Sequence, residues 1–368
     1  MSRSVKMPAN APSSASTMAE PTCFALITDA ASATDAVGAT VTSSVLMTSW
    51  IVGMARSKTS SRTERREIGG PSGPGPASAE ERAIREAVLA WYRPRPHDYP
   101  WRSDRPDPYA VLVSEVMLQQ TQATRVAPIY REFLERFPDV RALSSAARAE
   151  LLRAWAGLGY HRRALALREA ARSIVQDHGG RVPRDPESLR ALPGIGPYTA
   201  AAVASIAFGE PVPALDTNAA RIVARVLTGA EPNEIPRGRL VAGAEALLDP
   251  SAPGEWNQAL MDLGRFVCRP APRCAECPVR DRCRFAGSGR EPGGPARRQP
   301  PFAGSTREAR GRVLAVFRQR GGATLPEIAE ATGLPPGRVA AATSALAADG
   351  VITLVPAHRS VHGYACID

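Results

Sequence analysis

Between Ser78 and about Gly287 the chain is a succession of segments with helical hydrophobic spacing, and this restricts the fold more than any other feature. In Glu80–Trp91, for example, apolar residues recur every three or four positions. Asp107 and Pro108 place a capping residue and a first-turn proline before YAVLVSEVMLQQ. Further helices are predicted over Ala127–Arg136, Glu150–Trp155, Arg162–Gln176, Tyr198–Phe208, Thr217–Leu227, Leu240–Leu248 and Trp256–Phe266. No alternating strand pattern of useful length occurs here, so we expect residues 79–287 to form an all-α domain.

The first 78 residues have the composition of a tail, rich in Ser, Ala and Thr and ending in GGPSGPGPAS. Ala36–Ala55 is an uncharged run of twenty residues, which is long enough to span a bilayer. It contains six Ser or Thr and two Gly, and we do not expect a membrane segment. We expect residues 1–78 to be a disordered or mis-annotated N-terminal tail, with Met54, which heads MARSKTSSRTERR, as the true start.

The C-terminal region, residues 305–368, follows a Gly-, Pro- and Arg-rich linker at 288–304. Its pattern predicts three helices, at Thr306–Arg320, Leu325–Thr332 and Pro336–Asp349. Two short strands around a turn are then expected in VITLVPAHRSVHGYACI. Three helices and a hairpin resemble a winged helix-turn-helix module. Two interpretations stay open: a module that binds DNA, and a packing module that never touches it.

The charge of the chain favours a polyanionic partner, and nucleic acid is the first candidate. The formal net charge is +10, and removing residues 1–78 leaves 39 basic and 31 acidic residues, a net +8. The basic character therefore belongs to the folded part. Lys6 and Lys58 are the only lysines, so 44 of the 46 basic residues are arginine. Any mechanism that requires a lysine beyond Lys58 is excluded.

Four of the six cysteines are crowded into one short segment, with the spacing C-x5-C-x2-C-x5-C. They are Cys268, Cys274, Cys277 and Cys283. Such crowding does not resemble a secreted disulfide scaffold and favours a metal site in a reducing cytosol. Five arginines in and around this loop suggest that it grips phosphates: Arg269, Arg273, Arg280, Arg282 and Arg284.

The segment LPGIG, Leu192–Gly196, is typical of a tight turn between two helices. Backbone amides in such a turn, at Leu192, Gly194 and Gly196, together with the next helix N-terminus, can hold a phosphate without reading its base. About twenty residues later VPALDTN precedes another helix. A hairpin, a helix and then an Asp in this register resemble the helix-hairpin-helix DNA glycosylases, with an endonuclease III-like fold.

Longer motifs narrow the resemblance to the adenine-specific mismatch DNA glycosylases, the MutY family. It covers roughly residues 92–284, more than half of the chain, and its most specific piece is SEVMLQQTQ at Ser114–Gln122. Supporting pieces are PWR at 100–102, GLGYHRRA at 157–164, LPGIGPYTA at 192–200, NQALMDLG at 257–264 and the cysteine cluster. The resemblance implies a [4Fe–4S] cluster on the four cysteines. The family pattern has six residues in the first cysteine gap and this chain has five, so four-cysteine zinc is the alternative.

The resemblance assigns the catalytic acid to Glu115 and the sugar-stabilising carboxylate to Asp216. Glu115 has apolar helical neighbours at Val111 and Leu112, which should raise its pKa as a general acid requires. Asp216 precedes a helix, whose N-terminus should favour the ionised form. Two environments that separate the two pKa values would divide the roles of acid and stabiliser.

The resemblance also supplies supporting residues around these two carboxyl groups. Tyr198 and Asn218 match positions that assist the chemistry in some members of the family. Tyr160 matches the residue that wedges into the duplex beside the displaced adenine. Gln120 matches a residue that contacts the bases around the lesion. A lysine stands at the position of Tyr198 in relatives that also cut the strand.

These features predict a bacterial, cytoplasmic and nucleoid-associated enzyme, acting as a monomer on double-stranded DNA. It would remove adenine mispaired with 8-oxoguanine or guanine, and without a site lysine it would leave the strand intact. The first alternative is a thymine or uracil mismatch glycosylase of the same fold. The second is a non-catalytic, winged-helix DNA-binding redox regulator. The Nudix-related C-terminal domain usual in the family is expected to be absent or replaced, because only 85 residues follow Cys283.

Overall fold

The computed structural model describes residues 78–95, 98–292, 300–355 and 364–367. The helices before the linker are α1 (Ala79–Tyr92), α2 (Pro108–Leu118), α3 (Ala123–Arg136), α4 (Val140–Ser145), α5 (Arg148–Ala154), α6 (Arg162–Asp177), α7 (Pro186–Ala191), α8 (Pro197–Phe208), α9 (Thr217–Thr228), α10 (Arg237–Leu247), α11 (Pro253–Phe266) and α12 (Arg284–Gly287). The predicted tail up to residue 77, with the run Ala36–Ala55, lies outside the described residues. Within the described part, no helix combines the length and apolar character needed to cross a bilayer.

The helix boundaries follow the capping signals in the sequence. Ser78 caps α1 with a capping box completed by Glu81, and Asp107 caps α2 with its side chain on the Ala110 amide. The all-α prediction for residues 79–287 is confirmed, since the described residues of this region form no strand. Helix α3 begins at Ala123, four residues before the predicted start at Ala127. The short helices α4, α7 and α12 were not predicted, because one or two turns carry too little hydrophobic periodicity.

Two hydrophobic cores organise residues 78–292. The first joins α2–α8 around large buried side chains such as Phe133 and Trp155. The second joins α1, α9, α10 and α11 around Trp256, and the cysteine loop packs against it. Helix α8 contacts both α2 and α11, while α11 also contacts α9. The segments that carry Glu115, Tyr198 and Asp216 therefore meet where the two cores adjoin.

The C-terminal module contains α13 (Thr306–Arg320), α14 (Leu325–Thr332) and α15 (Pro336–Ala348). Its sheet contains β1 (Gly322–Thr324), β2 (Thr353–Val355) and β3 (Tyr364–Cys366), in the antiparallel order β1-β3-β2. The three predicted helices and the two strands of the hairpin are confirmed. Strand β1 was not predicted, because three residues between two helices are too few to show an alternation.

The module packs on the preceding domain through α5. Leu152 is fully buried, and it belongs to the hydrophobic cluster of α13–α15 rather than to the core of its own domain. Leu151, the preceding residue, is buried in the first core. An ion pair between Arg162 and Asp349, with 3.8 Å between the guanidinium nitrogen and the carboxylate oxygen, lies at the same junction.

Candidate active site

A pocket of about 60 Å³ lies between α2, α8, α11 and the PWR segment. Its polar side chains are Arg102, Ser114, Glu115, Tyr198 and Gln258. Its apolar walls are Trp101, Val111, Leu118, Ile206 and Met261. Two of the residues predicted from sequence, Glu115 and Tyr198, therefore line one pocket although they lie 83 positions apart in the chain.

Glu115 is the central ionisable group of this pocket. It lies on α2 and is only 6% exposed, and burial raises its pKa from 4.5 to about 7. A hydrogen bond with Tyr198 and the charge of Arg102 oppose this rise, while the nearby Asp216 adds to it. The expectation of a raised pKa is confirmed. A carboxyl with such a pKa is partly protonated near neutral pH, as a general acid requires.

Arg102 is a residue of the pocket to which the sequence had assigned no role. Its guanidinium donates to the Tyr92 hydroxyl at 2.6 Å, to the side-chain oxygen of Gln258, and to Asp262 at 3.3 Å. The side chains of Arg102 and Asp262 are both mostly buried, so this ion pair holds the PWR segment against α11. The only sequence signal for this network was the presence of Arg102 in PWR and of Gln258 and Asp262 in NQALMDLG.

Asp216 caps α9 and lies close enough to affect the ionisation of Glu115. Its carboxylate accepts hydrogen bonds from the Ala219 amide at 2.6 Å and from the Asn218 side chain at 2.9 Å. Burial nevertheless raises the pKa of Asp216 above its ordinary value, and these hydrogen bonds only oppose the rise. The predicted contribution of the α9 N-terminus, which favours the ionised form of Asp216, is therefore present but is outweighed by burial. The hydrogen bonds limit the rise in the pKa of Asp216 that burial causes, and the local sequence does not reveal this burial.

The backbone around Asp216 is fixed by α11. The buried side chain of Asn257 accepts from the Ala214 amide at 3.0 Å and donates to the Val212 carbonyl at 2.9 Å. Gly264 allows α11 to approach α9, because a Cβ there would lie 2.5 Å from the Cβ of Asn218. Both residues belong to the motif NQALMDLG, but the sequence pattern alone indicates a role for neither.

Gln120 and Tyr160 share an unusual backbone conformation. They are the only non-glycine residues with positive φ in the part of the chain that the structure describes, at 56° and 47°. Both side chains are exposed, Tyr160 to 47%. Such conformations cost free energy and persist where the surroundings hold them, often at functional sites. No feature of the sequence indicates this strain, because neither residue is glycine.

Arg163 links the two strained residues. Its guanidinium donates to the carbonyls of Val116 and Met117, at 2.9 and 3.0 Å, and to that of Gln119. It also lies over the Tyr160 ring, 5.4 Å from its centroid. The turn after α2 and the loop of Tyr160 are therefore held by one side chain, and the only sequence signal for it is the position of Arg163 in GLGYHRRA.

The predicted hairpin Leu192–Gly196 joins α7 to α8. Gly194 has φ of 75°, and a Cβ there would lie 2.6 Å from the Cβ of Ala166, so only glycine fits. Gly196 is the N-cap residue of α8 and has no side-chain cap. Leu192 differs from both, since its side chain is buried and its amide donates to the Leu189 carbonyl. Leu192 thus anchors the hairpin, and its own amide is already engaged.

The four cysteines line one small pocket after α11. Burial raises the pKa of Cys277 to about 11, and the other three thiols add to this rise, so the four sulfur atoms lie near one another. The buried Arg225 donates to Cys268 Sγ at 3.7 Å and to the Arg269 carbonyl at 2.7 Å. Among the described residues, however, no group of three or more His, Cys, Asp or Glu side chains has the geometry to hold a metal ion. The set of donors fits a metal, but the arrangement of the loop does not by itself form a metal-binding geometry.

The arginines of the cysteine loop are exposed. Arg269, Arg273, Arg280, Arg282 and Arg284 all project into solvent, as the sequence suggested for side chains that contact phosphate. Arg273 forms an exposed ion pair with Glu276, at 3.7 Å. The other four side chains form no ion pair within the described residues.

Comparison with known proteins identifies the superfamily of this chain. Residues 113–237 match the family described as HhH-GPD superfamily base excision DNA repair protein, and residues 307–353 match winged helix-turn-helix DNA-binding. A solved structure of a thermostable thymine-DNA glycosylase is similar, with a TM-score of 0.53 and 30% identity. The match covers 57% of this chain and 97% of that one. Fold, site and family match define a DNA glycosylase of the helix-hairpin-helix superfamily.

Proteins with similar sequences identify the family within this superfamily. The chain is 44% identical over 253 residues to the adenine DNA glycosylase of Mycobacterium tuberculosis, covering 67% of this chain and 82% of the relative. It is 44% identical over 217 residues to the human adenine DNA glycosylase, covering 56% of this chain but only 40% of the relative's length. The chain belongs to the adenine DNA glycosylase family.

Proposed function

We propose that this protein removes adenine mispaired with 8-oxoguanine or guanine, in double-stranded DNA, by hydrolysis of the glycosidic bond. The observation that carries the proposal is the pairing of two carboxyl groups in one place. Glu115 has a pKa of about 7, and Asp216 is close enough to influence it. We further propose that the catalytic domain spans residues 79–287, with the linker at 288–304 and the winged-helix module at 305–368.

The reaction follows from the ionisation of these two groups. Adenine is a poor leaving group as an anion, and a proton delivered to its N7 by Glu115 makes it leave as a neutral base. The sugar then carries positive charge, which the Asp216 carboxylate stabilises while water attacks the anomeric carbon. The Tyr198 hydroxyl donates a hydrogen bond to Glu115, and the Asn218 side chain holds Asp216 in place by donating one to its carboxylate.

We propose that Tyr160 enters the duplex beside the displaced base and that Gln120 contacts the bases around it. Their strained and exposed positions, tied together by Arg163, support this pairing. Gly194, Gly196 and the N-terminus of α8 would hold a phosphate of the backbone. Leu192 would position that hairpin from within the core.

We propose that Cys268, Cys274, Cys277 and Cys283 hold a [4Fe–4S] cluster. Four thiols around one pocket are the usual donors for such a cluster, with Zn²⁺ as the alternative. When bound, the cluster would cross-link the loop and so fix its arginines toward DNA. Protein purified without oxygen should be brown, with about four irons per chain. Stoichiometric zinc and no visible absorbance, in protein from iron-replete cells, would reverse the assignment.

A thymine or uracil mismatch glycosylase remains the second candidate, because a similar solved structure carries the name thymine-DNA glycosylase. A non-catalytic redox regulator would leave the buried pair of Glu115 and Asp216 without a purpose. We propose that the protein acts as a monomer in the bacterial cytoplasm, at the nucleoid.

The deciding experiment is an excision assay on a panel of duplexes in which adenine, thymine or uracil stands opposite guanine or 8-oxoguanine. Release of adenine alone supports the proposal. Release of thymine or uracil from pairs with guanine, without release of adenine, would select the second candidate. No release from any duplex by iron-loaded protein would favour the regulator.

A further inference from the structure

A second cleft lies outside the pocket of Glu115, between the C-terminal ends of α1 and α11 and the start of the cysteine loop. It measures about 260 Å³. We call it the Phe266 cleft, and its lining includes Trp91, Arg95, Arg265, Phe266, Arg269, Arg273 and Glu276. None of these residues lines the Glu115 pocket.

An aromatic side chain stands exposed in this cleft. Phe266 is the last residue of α11 and is 47% exposed, which leaves a large apolar surface in water. Arg265 lies over its ring, 5.1 Å from the centroid. An exposed ring beside guanidinium groups is an arrangement that stacks a nucleobase.

The charge of the cleft is strongly positive. Four arginines face one acidic side chain, Glu276, whose exposed ion pair with Arg273 at 3.7 Å contributes little. Arg95, Arg265 and Arg269 make no ion pair within the residues described by the structure. The cleft therefore favours an anionic ligand, and phosphate is the anion that accompanies a nucleobase.

A continuous stack of side chains connects the cleft with the Glu115 pocket. Arg265 lies between the ring of Phe266 and that of Tyr99, whose centroid is 5.2 Å away. Tyr99 stacks on Trp101 with 5.0 Å between ring centroids and 5° between planes. Trp101 is a wall of the pocket that contains Glu115. The cleft and the pocket are therefore joined by contacting side chains, an arrangement that would allow one DNA strand to contact both.

We propose that the Phe266 cleft binds a nucleotide that neighbours the target base on the same strand, with its base stacked on Phe266 and its phosphate paired with the arginines. This rests on the proposed function, in that a base must be flipped for its neighbour to reach the cleft. Because every base has a π-face, the cleft should tolerate any base at this position.

The test is a thermodynamic double-mutant cycle that combines Phe266→Ala in the protein with removal of single bases from the DNA. Dissociation constants are measured for duplexes with a non-hydrolysable target adenine, either intact or with an abasic analogue at one of the nearby positions. Phe266→Ala should weaken binding to the intact duplex by roughly tenfold. It should have almost no effect on the duplex that lacks the base occupying the cleft.

Three further variants keep the result interpretable. Phe302→Ala removes another exposed ring, 62% exposed and far along the chain, and should leave every dissociation constant unchanged. Phe266→Tyr keeps a ring and should retain affinity, while Arg269→Gln should reduce the slope of log affinity against log salt by about one. An equal loss on every duplex would mean that Phe266 has a structural role only, and no loss on the intact duplex would overturn the proposal.

Excision is followed separately at saturating DNA concentration. In one outcome the parent protein releases no adenine while the loss of affinity in Phe266→Ala still depends on the base in the cleft. That result would refute the proposed function and support nucleotide binding in the Phe266 cleft. If adenine is released but the loss of affinity does not depend on any nearby base, the proposed function is supported and nucleotide binding in the Phe266 cleft is refuted.

Discussion

Glu115→Gln should make the protein more stable, and mainly at high pH. A carboxyl whose pKa is raised in the folded state, here from 4.5 to about 7, binds its proton more tightly when folded than when unfolded. Folding is then penalised once the unfolded carboxyl ionises, so stability falls as pH rises from the unfolded pKa to the folded one. The penalty is complete above pH 7. At about 1.4 kcal/mol for each pKa unit, it amounts to about 3 kcal/mol.

The glutamine keeps the shape of the side chain and cannot ionise, so the variant loses this penalty. For a domain of this size, about 1 kcal/mol changes the melting temperature by about 2–4 °C. We therefore expect Glu115→Gln to melt about 6–12 °C above the parent near pH 9, and at most a few degrees above it near pH 5. Intrinsic tryptophan fluorescence during heating measures both values.

Glu86→Gln is the matched control, because Glu86 is exposed on α1. It should shift the melting temperature equally little near pH 5 and near pH 9. If Glu115→Gln changed stability by the same amount at both pH values, or destabilised the protein near pH 9, the raised pKa of Glu115 would be refuted.

Three further predictions concern packing and chemistry. Gly264→Ala places a Cβ 2.5 Å from the Cβ of Asn218, so it should displace Asn218, which holds Asp216. We expect this variant to release adenine more slowly in single-turnover assays. Gly238→Ala, with open space around it, should release adenine at the parent's rate. Leu152→Ala should lower the free energy of unfolding in urea by about 2–5 kcal/mol in the full chain. It should lower it by almost nothing in a chain ending at residue 304, because the packing partners of Leu152 are in the C-terminal module. An equal loss in both chains would mean that the module does not pack against Leu152. Borohydride should trap no covalent protein–DNA adduct, since Tyr198 stands where strand-cutting relatives have lysine and no lysine follows Lys58; efficient trapping that persists without Lys6 and Lys58 would contradict hydrolysis by water.

The parts of the fold that the sequence predicted are those with local causes. Caps such as Asp107 and apolar spacing within one helix determine where the long helices begin and end, and the predicted bounds agree to within a few residues for most of them. The raised pKa of Glu115 was predictable for the same reason, because its apolar neighbours lie on its own helix. Strand β1 and the short helices were not predictable, since their stability comes from tertiary contacts.

The parts that the sequence could not predict depend on residues distant in the chain. The pKa of Asp216 is governed by burial among separate elements, which outweighs the local effect of the α9 N-terminus. Arg102 reaches Asp262 across 160 positions, and Leu152 packs into a module that begins about 150 residues later. The positive φ of Gln120 and Tyr160 has no sequence signal, because neither residue is glycine.

The central claim is that Glu115 delivers the proton that releases adenine. The most direct measurement compares parent, Glu115→Gln and Glu86→Gln in single-turnover excision from a duplex with adenine opposite 8-oxoguanine, alongside binding to the same duplex. We expect Glu115→Gln to bind like the parent and to excise adenine slower by a factor of about 10²–10⁴, with the parent's own rate falling as pH rises through about 7. Excision by Glu115→Gln within about tenfold of the parent, at unchanged pH dependence, would contradict the claim.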